Sequence, residues 1–302
     1  MQQLFEGIQK GDFRSIARGI TTVENELPGY EWLLEHYNDT QGPPVIGITG
    51  PPGAGKSSLV NSLLHHWLGQ NKKVAVLAVD PSSPFNYGAI LGDRIRMSDF
   101  YANPNIYIRS LASRGALGGL NSKIIEITGL VRQAPFDIIL VETVGVGQSE
   151  VEIAGLADCT VVVLVPEAGD EVQTLKAGIM EIADVFVVNK SDRENAEALY
   201  RNLRMMVHEK ANGGRELPVV KTIATSNQGV DEMATAVESV IEGLKNTPSK
   251  RLDLLTEKSW QYIQKLRMSP YNLRDLKSQL ETALQNPDFN LFRFTREFMG
   301  KR

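Results

Sequence analysis

Thiols are almost absent from this 302-residue chain, whose one cysteine is Cys159. That scarcity excludes an internal disulfide and a cysteine-cluster metal site within one chain, and it fits a reducing compartment. Charge of one sign is also lacking: 32 Lys+Arg against 36 Asp+Glu leave a formal net charge of -4. Such a balance creates no field suited to nucleic acid or an anionic membrane, so neither is an expected partner. No apolar run approaches the roughly 20 residues of a membrane span. Residues 1–13 carry Glu6 and no apolar stretch, so no signal peptide is expected there, and the expected location is the cytoplasm.

What is present is an ordinary globular composition, 42% hydrophobic and 23% charged, enough for one sizeable core plus appendages. Ile16, Ile20, Val23 and Leu27 fall at helical spacing before Pro28-Gly29 breaks the pattern, which predicts a helical N-terminal extension over 1–41. From Val45 onward seven β-branched runs alternate with amphipathic segments, at 45–48, 74–79, 106–108, 138–141, 160–165, 185–188 and 219–223. This alternation predicts an α/β fold over 42–246, with a mainly parallel sheet flanked by helices. After Asn246-Thr247-Pro248-Ser249 the spacing is helical only, as at Leu273, Leu276, Leu280 and Leu284, giving a helical C-terminal extension over 247–302. That arm is too short to build its own core, so it packs either on the main domain or on a second copy, and a homodimer is the expected assembly.

Gly50-Pro51-Pro52-Gly53-Ala54-Gly55-Lys56-Ser57 follows the first run and precedes a helical segment at 58–68, the context required of a phosphate-binding P-loop. Glycines let the backbone curl so that successive N–H groups face phosphate oxygens, and the helix N-terminus adds partial positive charge. Lys56 is then expected at the β- and γ-phosphates, and the Ser57 hydroxyl at Mg²⁺. Gly50, Pro52, Gly53, Ala54, Gly55 and Ser58 complete the expected phosphate site.

The run at 185–188 leads into Asn189-Lys190-Ser191-Asp192, on a loop at the carboxyl end of a strand, where open α/β sheets bind ligands. An aspartate accepts hydrogen bonds from N1–H and the exocyclic amine of guanine but meets an acceptor at N1 of adenine, so Asp192 predicts GTP or GDP rather than an adenine nucleotide. Alone, the tetrad also reads as a helix cap formed by Asp192; downstream of a P-loop it reads as a base site. Asn189 is expected to tie this loop to the P-loop and, with Lys190, to contact the purine. A backbone N–H within Ile223-Ala224-Thr225 is expected at the guanine carbonyl.

The run at 138–141 ends in Glu142, followed by a turn whose Gly145 N–H can approach the γ-phosphate. Asp80 closes an earlier run, and Asp93 follows a glycine-containing segment able to fold over Mg²⁺. Ser57, Asp80, Asp93 and Glu142 are the metal candidates, with the direct carboxylate ligand left open. Val146 follows Gly145, and the glutamine that positions water in Ras-like enzymes is missing, so slow intrinsic hydrolysis is expected.

Together with Asp80-Pro81-Ser82-Ser83-Pro84, Leu91-Gly92-Asp93-Arg94, Ser113-Arg114-Gly115 and Gly169-Asp170-Glu171, these motifs resemble the MeaB/ArgK family of P-loop GTPases, relatives of the human methylmalonic aciduria type A protein. The resemblance implies a Mg²⁺-dependent GTPase acting as a G-protein chaperone for a cobalamin-dependent acyl-CoA mutase such as methylmalonyl-CoA mutase. It implies switch roles for Asp80 and Asp93, then Glu142, then a third loop at 169–176. Asp170 and Lys176 of that loop would complete the active site, Lys176 supplying positive charge as an arginine finger does. A solvated helix lysine is the competing reading of Lys176. Asn86-Tyr87 and Glu167 depart from the family's glycine-rich text. Two rival functions are a kinase coupled to amino-acid (lysine/arginine/ornithine) transport, which the Asn189–Asp192 tetrad disfavours, and a metallochaperone. The metallochaperone is disfavoured because His65-His66 is the one histidine pair and reads as packing.

Overall fold

The computed structural model describes all residues except 39–41, 81–96, 114–119, 145–152, 169–178, 212–215, 246–247, 287 and 301–302. Three helices come first: α1 (Gln2–Gln9), α2 (Phe13–Glu24) and α3 (Tyr30–Glu35). The strands are β1 (Val45–Thr49), β2 (Val74–Asp80), β3 (Ile106–Ala112), β4 (Ile138–Glu142), β5 (Cys159–Leu164), β6 (Val185–Val188) and β7 (Val219–Lys221). Between and after them run α4 (Lys56–Gly69), α5 (Ile124–Val131), α6 (Ala196–Ala211) and α7 (Val230–Lys245), and then α8 (Pro248–Met268), α9 (Leu273–Ala283) and α10 (Leu291–Gly300). The chain divides into two compact units, Met1–Arg251 and Leu252–Arg302.

All seven strands form one sheet in the order β3-β2-β4-β1-β5-β6-β7, and every adjacent pair is parallel. Helices cover both faces, so the central strands are buried throughout and read as unbroken apolar runs. Their side chains still alternate. Ile46, Ile48, Val74, Val76, Ile138 and Leu140 join one core with Leu59, Leu63 and Trp67 of α4 and Met233 and Val237 of α7. Val45, Ala75, Leu77, Ile139 and Val141 face the opposite core, with α2 and α5. Truncating one α4 leucine, such as Leu63→Ala, costs about 2–5 kcal/mol in such a core.

A single device recurs at the amino edge of the sheet. Asp137, Asp158 and Asp184 each donate a backbone N–H to a carbonyl on the neighbouring strand's segment, Lys73, Val45 and Thr160 respectively, at 2.7–2.9 Å. Each aspartate then accepts the N–H of that same residue through Oδ2, at 2.7, 2.7 and 3.0 Å. Three reciprocal clamps thus pin the register of parallel strands that no hairpin connects.

Within the N-terminal segment the helices α1 and α2 are separated at Gly11. Gly11 adopts φ 78° and Asp12 caps α2 by accepting from Ser15 N at 2.9 Å and Ser15 Oγ at 2.6 Å. Those bonds hold the Asp12 carboxyl below its usual range. Ile8, Ile16, Ile20 and Val23 then enter the same core as β4 and α5. The last strand also ends earlier than its apolar run, at Lys221, and Ile223 forms an isolated bridge with Gln228 instead.

In the unit Leu252–Arg302, Phe298 is the buried hydrophobic among the described residues, and it packs against Phe294 and Tyr271. Leu252, Trp260, Leu266 and Phe292 are exposed. His66 lies 2.7 Å from Asp231 and His65 packs on Phe100, so the pair serves packing between elements. Among the described residues no group of three or more His, Cys, Asp or Glu side chains is placed to hold a metal ion, and no helix is long and apolar enough to cross a membrane.

Candidate functional site

β1 lies at the centre of the sheet, and the chain leaves its carboxyl end through residues 50–55 into α4. Two glycines are required by close approach. A Cβ on Gly50, at φ 144°, would stand 2.1 Å from the carbonyl oxygen of Val163, and one on Gly55, at φ 88°, 2.4 Å from Asn189 Nδ2. The loop can therefore lie directly against β5 and against the tetrad after β6. Gly55 is the residue before α4, which starts at Lys56, so Lys56, Ser57 and Ser58 form its first turn, at the positive end of the helix dipole.

Pro52, Gly53 and Ser58 are exposed, while Ala54, Lys56 and Ser57 are buried. Lys56 Nζ donates to the carbonyls of Gly50 at 2.8 Å and Pro51 at 3.1 Å, so the ammonium lies across the concave side of its own loop. A phosphate entering that concavity meets one fixed cation and the amino end of a helix.

Glu142 is the last residue of β4, in register with Ile48 of β1 and Ala78 of β2. Asp80 ends β2 two residues beyond Ala78, which sets two buried carboxylates on adjacent strands at the same edge. The Ser57 hydroxyl donates to Glu142 Oε1 at 2.7 Å, joining the first turn of α4 to that edge. Thr143 Oγ1 donates to Thr49 Oγ1 at 3.1 Å and closes the gap between β4 and β1. A hydroxyl with two carboxylates is the oxygen donor set a hard divalent cation takes, so these residues fit Mg²⁺. Asp93, Gly145, Asp170 and Lys176 lie outside the described residues.

Asn189 is 2% exposed and spends its side chain on three partners. Its Nδ2 donates to the Ala54 carbonyl at 2.8 Å; its Oδ1 accepts from Thr222 Oγ1 at 3.1 Å and from the Ala224 N–H at 3.2 Å. One amide thus joins the P-loop, the tetrad and the segment after β7. Lys190 follows at φ 56°, a left-handed turn that a lysine adopts only when neighbours impose it. Asp192 is exposed and makes no hydrogen bond or ion pair with another described residue. The next helix starts four residues later at Ala196, so Asp192 does not cap it. The Ala224 N–H, one of the donors expected at a guanine carbonyl, is turned toward Asn189, while Thr225 is exposed beside it.

Two participants escape sequence reading. Thr222 holds Asn189 from 33 residues away, and Ser62 of α4 donates to the Ala224 carbonyl from 162 residues away. Neither belongs to a motif, and spacing alone carries no signal for either.

Comparison with known proteins points the same way. A family model described as methylmalonyl Co-A mutase-associated GTPase MeaB matches residues 16–269. A putative GTPase of Pyrococcus abyssi is 45% identical over 252 residues, covering 82% of this chain and 78% of the relative. GTPase ArgK of Escherichia coli K12 is 35% identical over 241 residues, covering 76% of this chain and 72% of the relative. A solved structure of a LAO/AO transport system kinase superposes with a TM-score of 0.67 at 26% identity, covering 95% of this chain and 87% of that one.

Proposed function

Because the chain belongs to the MeaB family of GTPases, we propose that it binds GTP across the carboxyl edge of β1, β4 and β6 and serves a cobalamin-dependent acyl-CoA mutase as a G-protein chaperone. The observation that carries the nucleotide site is the 2.8 Å bond from Asn189 to the Ala54 carbonyl, which holds the base-reading loop against the phosphate loop. In this reading residues 50–58 wrap the phosphates, and Lys56 swings from its own loop carbonyls to the β- and γ-phosphate oxygens. Asp192, exposed and unengaged with other described residues, takes the N1–H and amine of guanine. Ser57, Asp80 and Glu142 would hold Mg²⁺, which would supply charge neutralisation at the phosphates. Ser57 donates its hydroxyl hydrogen bond to Glu142, which would leave its oxygen lone pairs for the metal, with Asp80 on the adjacent strand. By sequence Asp93 and Gly145 complete the metal and γ-phosphate contacts, and Asp170 and Lys176 the partner-dependent step.

The mutase enters through the family's description, and the missing glutamine after Gly145 supports it, because a slow hydrolase needs a partner to complete its site. A homodimer belongs to the same reading, supported by the exposed Trp260 and Phe292 of the unit Leu252–Arg302. The decisive experiment is GTP turnover with and without purified cobalamin-dependent mutases, beside co-elution in each nucleotide state. A mutase is expected to raise the wild-type rate, and Lys176→Ala to lose mainly that stimulation. If no such mutase changes the rate or co-elutes, the chaperone assignment fails while the GTPase assignment stands.

A further inference from the structure

Ser62 is 5% exposed, on α4 beyond the phosphate loop, and its hydroxyl has one proton for two carbonyls. One acceptor is Ser58 of its own helix at 3.1 Å, the usual resting place of a helical serine; the other is Ala224 at 2.9 Å, in the segment after β7. The second bond is shorter, buried, and links two elements otherwise distant in sequence. It also has a directional consequence. No peptide bond among the described residues is cis, and in a trans peptide the C=O and N–H point to opposite sides. A carbonyl of Ala224 held toward α4 therefore turns the Thr225 N–H away from α4. The preceding peptide is held separately, by the Ala224 N–H bond to Asn189 Oδ1 at 3.2 Å. The peptide before Ala224 is thus held by the tetrad, and the one after it by the phosphate helix together with a longer bond from the Asn227 N–H at 3.3 Å.

We propose that Ser62 is a positioning residue for guanine recognition: by holding the Ala224 carbonyl it aims the Thr225 N–H at the 6-oxygen of the base. The inference rests on the nucleotide-site reading above and goes beyond it by assigning recognition of one base atom to a serine that touches no nucleotide. Without the hydroxyl, the buried Ala224 carbonyl keeps only the longer bond from the Asn227 N–H, at 3.3 Å, and its peptide turns to improve that bond. The Thr225 N–H then leaves the 6-oxygen, while Asp192, on another loop, still reads the opposite edge of the ring.

The test is a set of equilibrium titrations of wild type, Ser62→Ala and Ser62→Thr with three diphosphates: GDP, IDP, which lacks the 2-amino group, and 2-aminopurine riboside diphosphate, which lacks the 6-oxygen. For Ser62→Ala, GDP and IDP are expected to weaken together by about fivefold to tenfold, the worth of one well-made neutral hydrogen bond. The 2-aminopurine nucleotide is expected to keep its wild-type affinity, and Ser62→Thr to restore GDP. Equal weakening of all three nucleotides, or of none, overturns the proposal. Ser62→Cys, of similar volume with a weak S–H donor, repeats the measurement if the alanine variant does not fold. Failure of the underlying base-site reading looks different, because wild type itself would then prefer GDP over neither analogue.

Discussion

Replacing Asn189 by alanine removes a side chain that satisfies three groups at once, the Ala54 carbonyl, the Thr222 hydroxyl and the Ala224 N–H. All three residues are buried, Ala54 and Thr222 completely, so water does not readily replace the lost amide. At about 1 kcal/mol for each net hydrogen bond the loss comes to roughly 3 kcal/mol. For a unit of this size, roughly 2–4 °C of Tm per kcal/mol converts that to a fall of about 9 °C. Asn189→Asp keeps the acceptor for Thr222 and Ala224 but sets a carboxylate oxygen against the Ala54 carbonyl, so its fall should be no smaller. The assay is thermal unfolding with and without saturating GDP. Wild type gains about 2.7 kcal/mol from GDP at a hundred times Kd, and Asn189→Ala should gain visibly less at the same concentration. A variant Tm within about 2 °C of wild type, or an undiminished GDP increment, would refute the assignment of Asn189 as the joint between the two loops.

Asp192→Asn should weaken GTP binding and favour xanthosine triphosphate, because xanthine offers an acceptor where guanine offers its amine; unchanged selectivity in a competition titration counts against the base site. Asp158→Ala should destabilise by about 1–3 kcal/mol, since Asp158 accepts from Val45 N and pairs with Arg132 at 3.0 Å, and Asp158→Asn should recover most of that; equal melting of Asp158→Ala and wild type argues against the clamp. Burial pushes the Glu238 carboxyl up, but hydrogen bonds from Lys72 and Trp67 outweigh it and hold the group below its usual range. A depressed folded pKa stabilises above the unfolded value and loses that contribution as pH falls through the folded one, so the Tm gap between wild type and Glu238→Gln should close below about pH 4. A gap that stays constant from pH 7 to pH 3 contradicts that coupling.

The parts of this molecule legible in its sequence are those whose physics is local. The P-loop is a contiguous string because one turn, one helix start and one lysine must act within a few ångströms, and the tetrad is contiguous for the same reason. Central strands of a parallel sheet, covered on both faces, need unbroken apolar runs, which is why β1, β2, β4, β5 and β6 register as such. What binds these strings together is not local. Asn189 is visible in its tetrad, but its reach to Ala54 spans 135 residues, and the clamp from Asp158 to Val45 spans 113. Nothing in the neighbourhood of Thr222 or Ser62 distinguishes it from an ordinary helix or strand hydroxyl. Periodicity likewise does not mark the break at Gly11, since Ile8, Ile16, Ile20 and Val23 face one core across it and the pattern registers the face, not the turn. A nucleotide site of this kind is therefore announced by its contact loops and assembled by isolated polar residues. Those are the positions at which a substitution can change selectivity while leaving every motif intact.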